Sequence, residues 1–545
     1  MRIRGIGPAL AVATLLLAGC GAASHVATAP AHKAPTRIVE PPVPKIPAVP
    51  LQETELSPQT IASDVASLAA LRAAHPGDGI IRGPGQLVFN IDLALAPKEH
   101  AFGAHLDVHM ENNIGQPIPV LYFNVWPDAH HFRIVGGYEQ VSHVTVDGNP
   151  VRFSLHGTLL RVYPQMPVAP GQSVLVAMDL RAKLPQIPDR YGWTGDQMAL
   201  GNWFPMPAVH DQYGWVTPPY YSGGESFYSL TAAFHLHVTA PKGYVYAVTG
   251  DRQGSVDHPD GTVTTDYSAI GVRDVALMGD VQYEVLAGTT DGVRVLTYTT
   301  PRNLTTARQM ERIGLQAMHY YDHLYGQYPF RSVSICVMQA WFDGMEYPRL
   351  VMVVPDPSFA EAGQALADRV TVSHELAHQW FFSLVGDDEY LTPWMDEAFA
   401  TFSSYRFAQI PQPWWDDNQE IDDVTDPVSA FPDPDFSVAP SSDYNDAVYV
   451  NGAYALEQLR TIMGYEAESQ TFDRMMRSYV QRYEYRVATS QDFLHFVRQG
   501  FGTQDPLFNL SAELATLSIH SSDAFTAPVN QWARLEEQEN RRNWH

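Results

Sequence analysis

His374-Glu375-Leu376-Ala377-His378, followed after eighteen intervening residues by Glu397, is the stretch that decides how this chain is read. Two histidines four apart on a helix project from one face, so both imidazoles can reach one metal ion. The carboxylate between them, Glu375, then sits beside that metal, where it can take a proton from the metal's water. Catalytic zinc needs three protein ligands and an open position, and a carboxylate on a following helix is the usual third; Glu397 lies where such a helix would put it. The expectation is one Zn2+ per chain, held by His374, His378 and Glu397. Val370, Leu376, Ala377, Trp380, Phe381 and Leu384 give the first helix an apolar, core-packed character, and Gly386 is a plausible stop for it. Thr392 and Pro393 read as the N-cap and first residue of the second helix.

Working outward, Gly344-Met345-Glu346-Tyr347-Pro348 precedes the first helix by about thirty residues, and Tyr444-Asn445-Asp446-Ala447-Val448-Tyr449-Val450-Asn451-Gly452-Ala453 follows the second. With the histidine motif and Glu397 these resemble the zinc aminopeptidases of the aminopeptidase N family, the gluzincin metallopeptidases. The resemblance implies that Gly344, Met345 and Glu346 bind substrate, with Glu346 gripping a free α-ammonium, and that Tyr449 stabilises the oxyanion while Glu375 acts as general base. The family's N-terminal domain often adds a Gln or Glu beside the amine; Gln197 and Glu225 both lie in the plausible stretch, and neither sits in a motif that chooses between them. Three positions depart from the pattern: Asp396 stands for Asn, Ala398 for Gly and Asn451 for Lys.

The implied activity is release of N-terminal residues from peptides by attack of metal-activated water. Two other readings stay open: a zinc endopeptidase of thermolysin type, which shares the metal triad but has no need of Glu346, and a non-catalytic surface lipoprotein on a peptidase fold. The sequence has no Gly-x-Ser-x-Gly elbow and no phosphate loop.

Composition fits a globular protein of several domains: 545 residues, 45% hydrophobic and 17% charged. The net charge of −26 argues against nucleic acid as a partner, because phosphate binding needs a basic surface. Peptides with a free N-terminal amine suit an acidic protein.

The N-terminus reads as a lipoprotein signal peptide over residues 1–20. Arg2 and Arg4 precede the short apolar run Ala9 to Leu17, too short to span a bilayer, and Leu17-Ala18-Gly19-Cys20 matches the bacterial lipobox. Lipidation of Cys20 would anchor the protein to a membrane, facing the periplasm or the cell surface. The only other cysteine, Cys336, reads as a buried strand thiol.

Residues 21–58 read as a stiff tether, with eight prolines between Pro30 and Pro58. Ile61 to Ala74 has helical composition. From Leu87 the period changes to two: Leu87, Phe89, Ile91, Leu93 and Leu95 alternate with Val88, Asn90, Asp92 and Ala94. Similar strands recur to about Thr300. His105 and His109, about 13 Å apart along a strand, cannot share a metal, and His235 and His237 have no evident third ligand; all four read as ordinary surface histidines. Helical spacing begins near Thr306, where Met310, Ile313, Ala317, Tyr321 and Leu324 form a stripe that Gly326 stops. The expected fold is multidomain: an N-terminal all-β sheet domain over 59–300, then a thermolysin-like α+β zinc peptidase domain over 301–505, and a C-terminal tail over 506–545.

Overall fold

The run that alternates from Leu87 forms the strand Gly85–Ala96, paired antiparallel with Ala101–Glu111 and parallel with Ala232–Pro241. It is central in an eight-stranded sheet whose order is Asp251–Asp257, Thr262–Val272, Ala232–Pro241, Gly85–Ala96, Ala101–Glu111, Ser173–Lys183, Tyr138–Val146, Asn149–Pro150. Leu87, Phe89, Ile91, Leu93 and Leu95 enter the first core. In this computed structural model residues 54–74, 82–220, 224–355, 361–410, 446–462 and 469–501 are described. Cys20 with its signal peptide, nearly all of the tether and the tail over 506–545 lie outside them. No helix among the described residues is long and apolar enough to cross a membrane.

The second face of the central strand is covered as well. A helix over Pro58–Ala74 lays Leu68 on Val88 and Ala233. Just before it, the backbone amide and hydroxyl of Thr54 each donate to Asp92 at 2.8 Å. Asp64 on this helix pairs with His235 at 2.7 Å, so that histidine is a partly buried anchor for the helix. His105 likewise differs from the surface reading. Its bond to Asp107, opposed by burial and helped by Asp179, raises its pKa to about 9.

The catalytic region is built on a second sheet, ordered Glu284–Thr290, Val293–Thr299, Ser332–Val337, Leu350–Val353, Gly344–Met345. Its first two strands precede residue 300, and Val293–Thr299 pairs parallel with Ser332–Val337, so this sheet takes in strands from both sides of that position. The link between those two strands is the helix Leu304–Tyr325, which buries the expected stripe and ends at Gly326 with φ 121°. Both faces of Ser332–Val337 and Leu350–Val353 are buried, and their side chains alternate between two cores. Val333, Ile335, Val337, Val351 and Val353 face the zinc helices, whereas Cys336, Met338, Leu350 and Met352 face the N-terminal core. Cys336 is accordingly a buried free thiol whose pKa burial pushes up.

Arg273, at the end of the strand Thr262–Val272, ties the first domain to the zinc helices. Its guanidinium donates to the carbonyls of Phe382 at 2.7 Å, Ser229 at 3.0 Å and Leu384 at 3.3 Å, and to that of Arg486. Gly386 proves to serve this contact rather than helix termination: a Cβ there would lie 2.0 Å from the guanidinium carbon. The helix Glu361–Ala377 ends earlier, and the chain turns through Phe382 at φ 107°. Arg273→Met strips several buried carbonyls of their donor, each such loss costing about 1–3 kcal/mol. We expect a fall of several degrees in the melting temperature; an unchanged melting curve would show that the junction does not depend on Arg273.

Candidate metal centre and active site

The helices Glu361–Ala377 and Trp394–Ala408 pack against each other and bring together His374 on the first, His378 in the turn that directly follows it and Glu397 on the second. His374 Nε2 lies 3.0 Å from Glu397 Oε2 and 3.1 Å from His378 Nε2, and His378 Nε2 lies 3.4 Å from Glu397 Oε2. Tetrahedral zinc with bonds of about 2.0–2.2 Å separates its donors by roughly 3.3–3.5 Å, so this set fits the ion. His378 Nδ1 is 3.1 Å from the Phe381 carbonyl, a contact that protonates Nδ1 and leaves Nε2 as the ligand atom. Burial lowers the His374 pKa against the pull of Glu397, favouring the neutral imidazole that a metal needs. For Glu397, burial works towards the acid form, but its bonds to His374 and His378 hold the carboxyl well below the usual range. The second helix begins without the expected cap. The Thr392 hydroxyl donates instead to the Asp388 carbonyl at 3.1 Å, and no side chain caps the first turn.

Glu375 is buried against Gly344, where a Cβ would fall 2.0 Å from its Oε1. That close approach explains the glycine. Burial, then Glu397 and Glu225, push the Glu375 carboxyl well above its ordinary pKa. Gly344–Met345 is an edge strand, paired on one side only with Leu350–Val353, and it delivers Glu346 to the pocket. Gln379, next to the ligand His378, fastens this segment: its Oε1 accepts from the Arg349 amide at 2.7 Å, and its Nε2 donates to the Tyr347 carbonyl at 3.2 Å. From the other side Tyr347 donates to Asn202 at 2.6 Å and Thr249 to the Pro348 carbonyl at 2.9 Å. The N-terminal domain thus helps to hold the segment that follows Gly344–Met345 in place.

Tyr449 arrives on a π-helical turn over Asp446–Asn451. Its hydroxyl donates to Glu397 Oε1 at 2.7 Å and its ring lies beside His374, 6.2 Å between centroids. Gly452 permits this approach, since a Cβ there would lie 2.4 Å from that of Ala398. The departure at Ala398 is therefore accommodated by a glycine opposite it. Asp396 is buried, accepts from the Glu397 amide at 2.8 Å, and is pushed well above its ordinary pKa by burial and by Asp387. The Asn451 side chain lies outside the described residues.

The two candidates for the N-terminal contribution separate here. Gln197 is spent on Gln339, exchanging bonds of 3.0 and 2.9 Å with its backbone. Glu225 instead has a carboxylate oxygen within 4.8 Å of those of Glu346 and Glu389, and Arg190 pairs with its Oε1 at 2.8 Å. Glu389 and Arg190 belong to no motif and were not anticipated; an acidic run, Asp387-Asp388-Glu389, is the only hint of the former. Among the described residues three other clusters gather three metal-binding side chains: Glu346 with His378 and Asp396, the all-carboxylate Glu225, Glu346 and Glu389, and the exposed Asp291, His319 and His323. Only the His374 set is buried and supplies two imidazoles with a carboxylate.

Residues 310–512 match the Peptidase family M1 domain. Aminopeptidase M1-D of Oryza sativa is 25% identical over 267 residues, 45% of this chain and 30% of its own length. Probable aminopeptidase 2 of Sulfurisphaera tokodaii is 24% identical over 41% of this chain and 30% of its own. The chain thus spans less than a third of the length of these curated relatives. The fold is similar to that of an M1 zinc metallopeptidase from Deinococcus radiodurans, with a TM-score of 0.52 and 17% identity, covering 80% of this chain and 94% of the other. A two-domain M1 zinc metallopeptidase bound to L-arginine is similar at a TM-score of 0.55 and 18% identity over 78% of this chain and 92% of the other. Residues 310–512 are thus similar to the peptidase M1 domain and follow a β-rich domain, as in the two-domain M1 structures, in line with the likeness to zinc aminopeptidases read from the motifs.

The Gly344 contact yields a test. Gly344→Ala places a methyl on the Glu375 carboxylate and must move it; displacements of about 1 Å cost up to about 10²-fold in rate. We expect kcat to fall by about 10- to 100-fold with bound zinc unchanged, and a normal kcat would show that Glu375 has room to spare.

Proposed function

We propose that this protein is a zinc-dependent aminopeptidase. The observation that carries the reading is the buried carboxylate of Glu346, next to the His374, His378 and Glu397 donors. An endopeptidase has no use for a carboxyl group there whose Oε1 is buried without a partner. Bound by those three donors, zinc supplies Lewis acidity and lowers the pKa of water towards neutrality.

The chain's own residues do the rest. Glu346 and Glu225 hold the substrate's α-ammonium, so cleavage falls one residue in. The free edge of Gly344–Met345 pairs with the substrate backbone as an added strand. Glu375 accepts the proton of the attacking water and passes it to the leaving amine. Tyr449, whose hydroxyl already rests on the ligand Glu397, donates to the oxyanion as it forms. The non-catalytic alternative is disfavoured because base, donors and tyrosine converge on one buried pocket.

The test is kcat/KM for one dipeptide amide, free and N-acetylated, on the wild type and Glu346→Ala, before and after chelation. Acetylation removes the charge that Glu346 meets and lowers kcat/KM by about 10²-fold or more. Glu346→Ala narrows that gap, and chelation abolishes both activities. Equal cleavage of the two forms by the wild type would replace this reading with the endopeptidase.

The lipobox at Cys20 supports an exported lipoprotein, anchored to a membrane and facing the periplasm or cell surface, with a proline-rich tether ahead of the enzyme. Cys20→Ser releases the protein from the membrane fraction with peptidase activity intact; retention on membranes would rule out a lipid as the anchor.

A further inference from the structure

Glu389 sits on the segment between the two zinc helices, is 1% exposed, and has no hydrogen-bond partner on either carboxylate oxygen. It converges with Glu225 and Glu346, the three offering oxygens within 4.8 Å of one another. Glu225 Oε2 and Glu346 Oε1 are also without partners. These carboxylates come from three separate parts of the chain, which rules out their meeting as an accident of local sequence. Arg190 pairs with the outer oxygen of Glu225 and leaves the trio short of positive charge. Three buried carboxylates with vacant acceptors call for a cationic ligand with several donors.

A primary ammonium has three N–H groups. With N–H···O contacts of about 2.8 Å, three acceptors arranged tetrahedrally about its nitrogen stand roughly 4.6 Å apart. The carboxylate trio accommodates that span. The neighbouring histidine set instead offers the roughly 3.4 Å separation that donors around zinc need.

We propose that Glu389 is a third carboxylate receiving the substrate's α-ammonium, one acceptor for each N–H, and that the site selects a primary over a secondary N-terminal amine. This rests on the aminopeptidase reading. An N-methylated or N-terminal proline substrate offers two N–H donors and leaves one buried acceptor unmet.

The experiment uses the zinc-loaded enzyme with Glu389→Gln and Glu389→Asp. Gln is nearly isosteric, and no hydrogen bond is lost in the ligand-free state. For each protein, kcat and KM are measured on one dipeptide amide and its Nα-methyl counterpart, with zinc content alongside. The wild type favours the primary amine by about 10- to 100-fold, the worth of one charge-assisted hydrogen bond. Glu389→Gln raises KM for the primary amine by a similar factor, leaves kcat within a few-fold, and brings the ratio of the two substrates towards one. Glu389→Asp falls between. Zinc content stays the same.

A wild-type KM and ratio in Glu389→Gln overturn the proposal, and so does a KM rise that tracks zinc loss. Calcium, magnesium or extra zinc binding to the wild type but not to Glu389→Gln would make the trio a metal site and overturn it too. If the wild type cleaves the acetylated dipeptide as fast as the free one, the aminopeptidase reading fails and this proposal falls with it. If that selectivity holds while Glu389→Gln is silent, only Glu389 is misassigned.

Discussion

Burial of like charge is the constraint on which this site depends. Glu225, Glu346, Glu375, Asp387, Glu389, Asp396 and Glu397 are all buried around the zinc helices and act on one another through a dry interior. Arg190 and Arg273 are the guanidinium groups facing them, on Glu225 and towards Asp387. Such an assembly is stable only when cations and protons join it. A divalent ion on the histidine set and an ammonium on the outer carboxylates are the natural complements, and binding either one relieves the repulsion that folding has built in.

The same constraint explains how firmly the surroundings are built. Carboxylates that repel must be held by backbone that cannot relax, and the catalytic sheet supplies this. Its strands Ser332–Val337 and Leu350–Val353 are buried on both faces, so each is gripped by two cores. Gln379 couples the ligand helix to the Glu346 loop, while Tyr347, Asn202 and Thr249 couple that loop to the N-terminal domain. The β-domain is therefore part of the active-site frame, and Glu225 extends from it into the pocket.

Much of this was legible in the chain. The His374 to Glu397 spacing located both helices and all three donors, because an i, i+4 pair on a helix has one geometry. The period-2 runs after Leu87 located the sheet domain, because one face of each strand meets the core. Local signals at element ends were less faithful. Thr392 turned its hydroxyl back to Asp388, and Gly386 answered to Arg273, since tertiary neighbours offered these residues stronger contacts than the helix termini did. The strands over Glu284–Thr299 read as a continuation of the β-domain because a strand's own pattern does not name its partner.

The order of motifs along the sequence alone thus pointed to the candidate metal donors, the candidate base and the family likeness, since each depends on short-range spacing that backbone geometry enforces. Only the tertiary structure decided between Gln197 and Glu225, and it alone revealed Glu389 beside Glu346. Those contacts join residues far apart in the chain, whose meeting is set by the packing of two domains, and a carboxylate shows itself to be unpaired only once everything around it is in place.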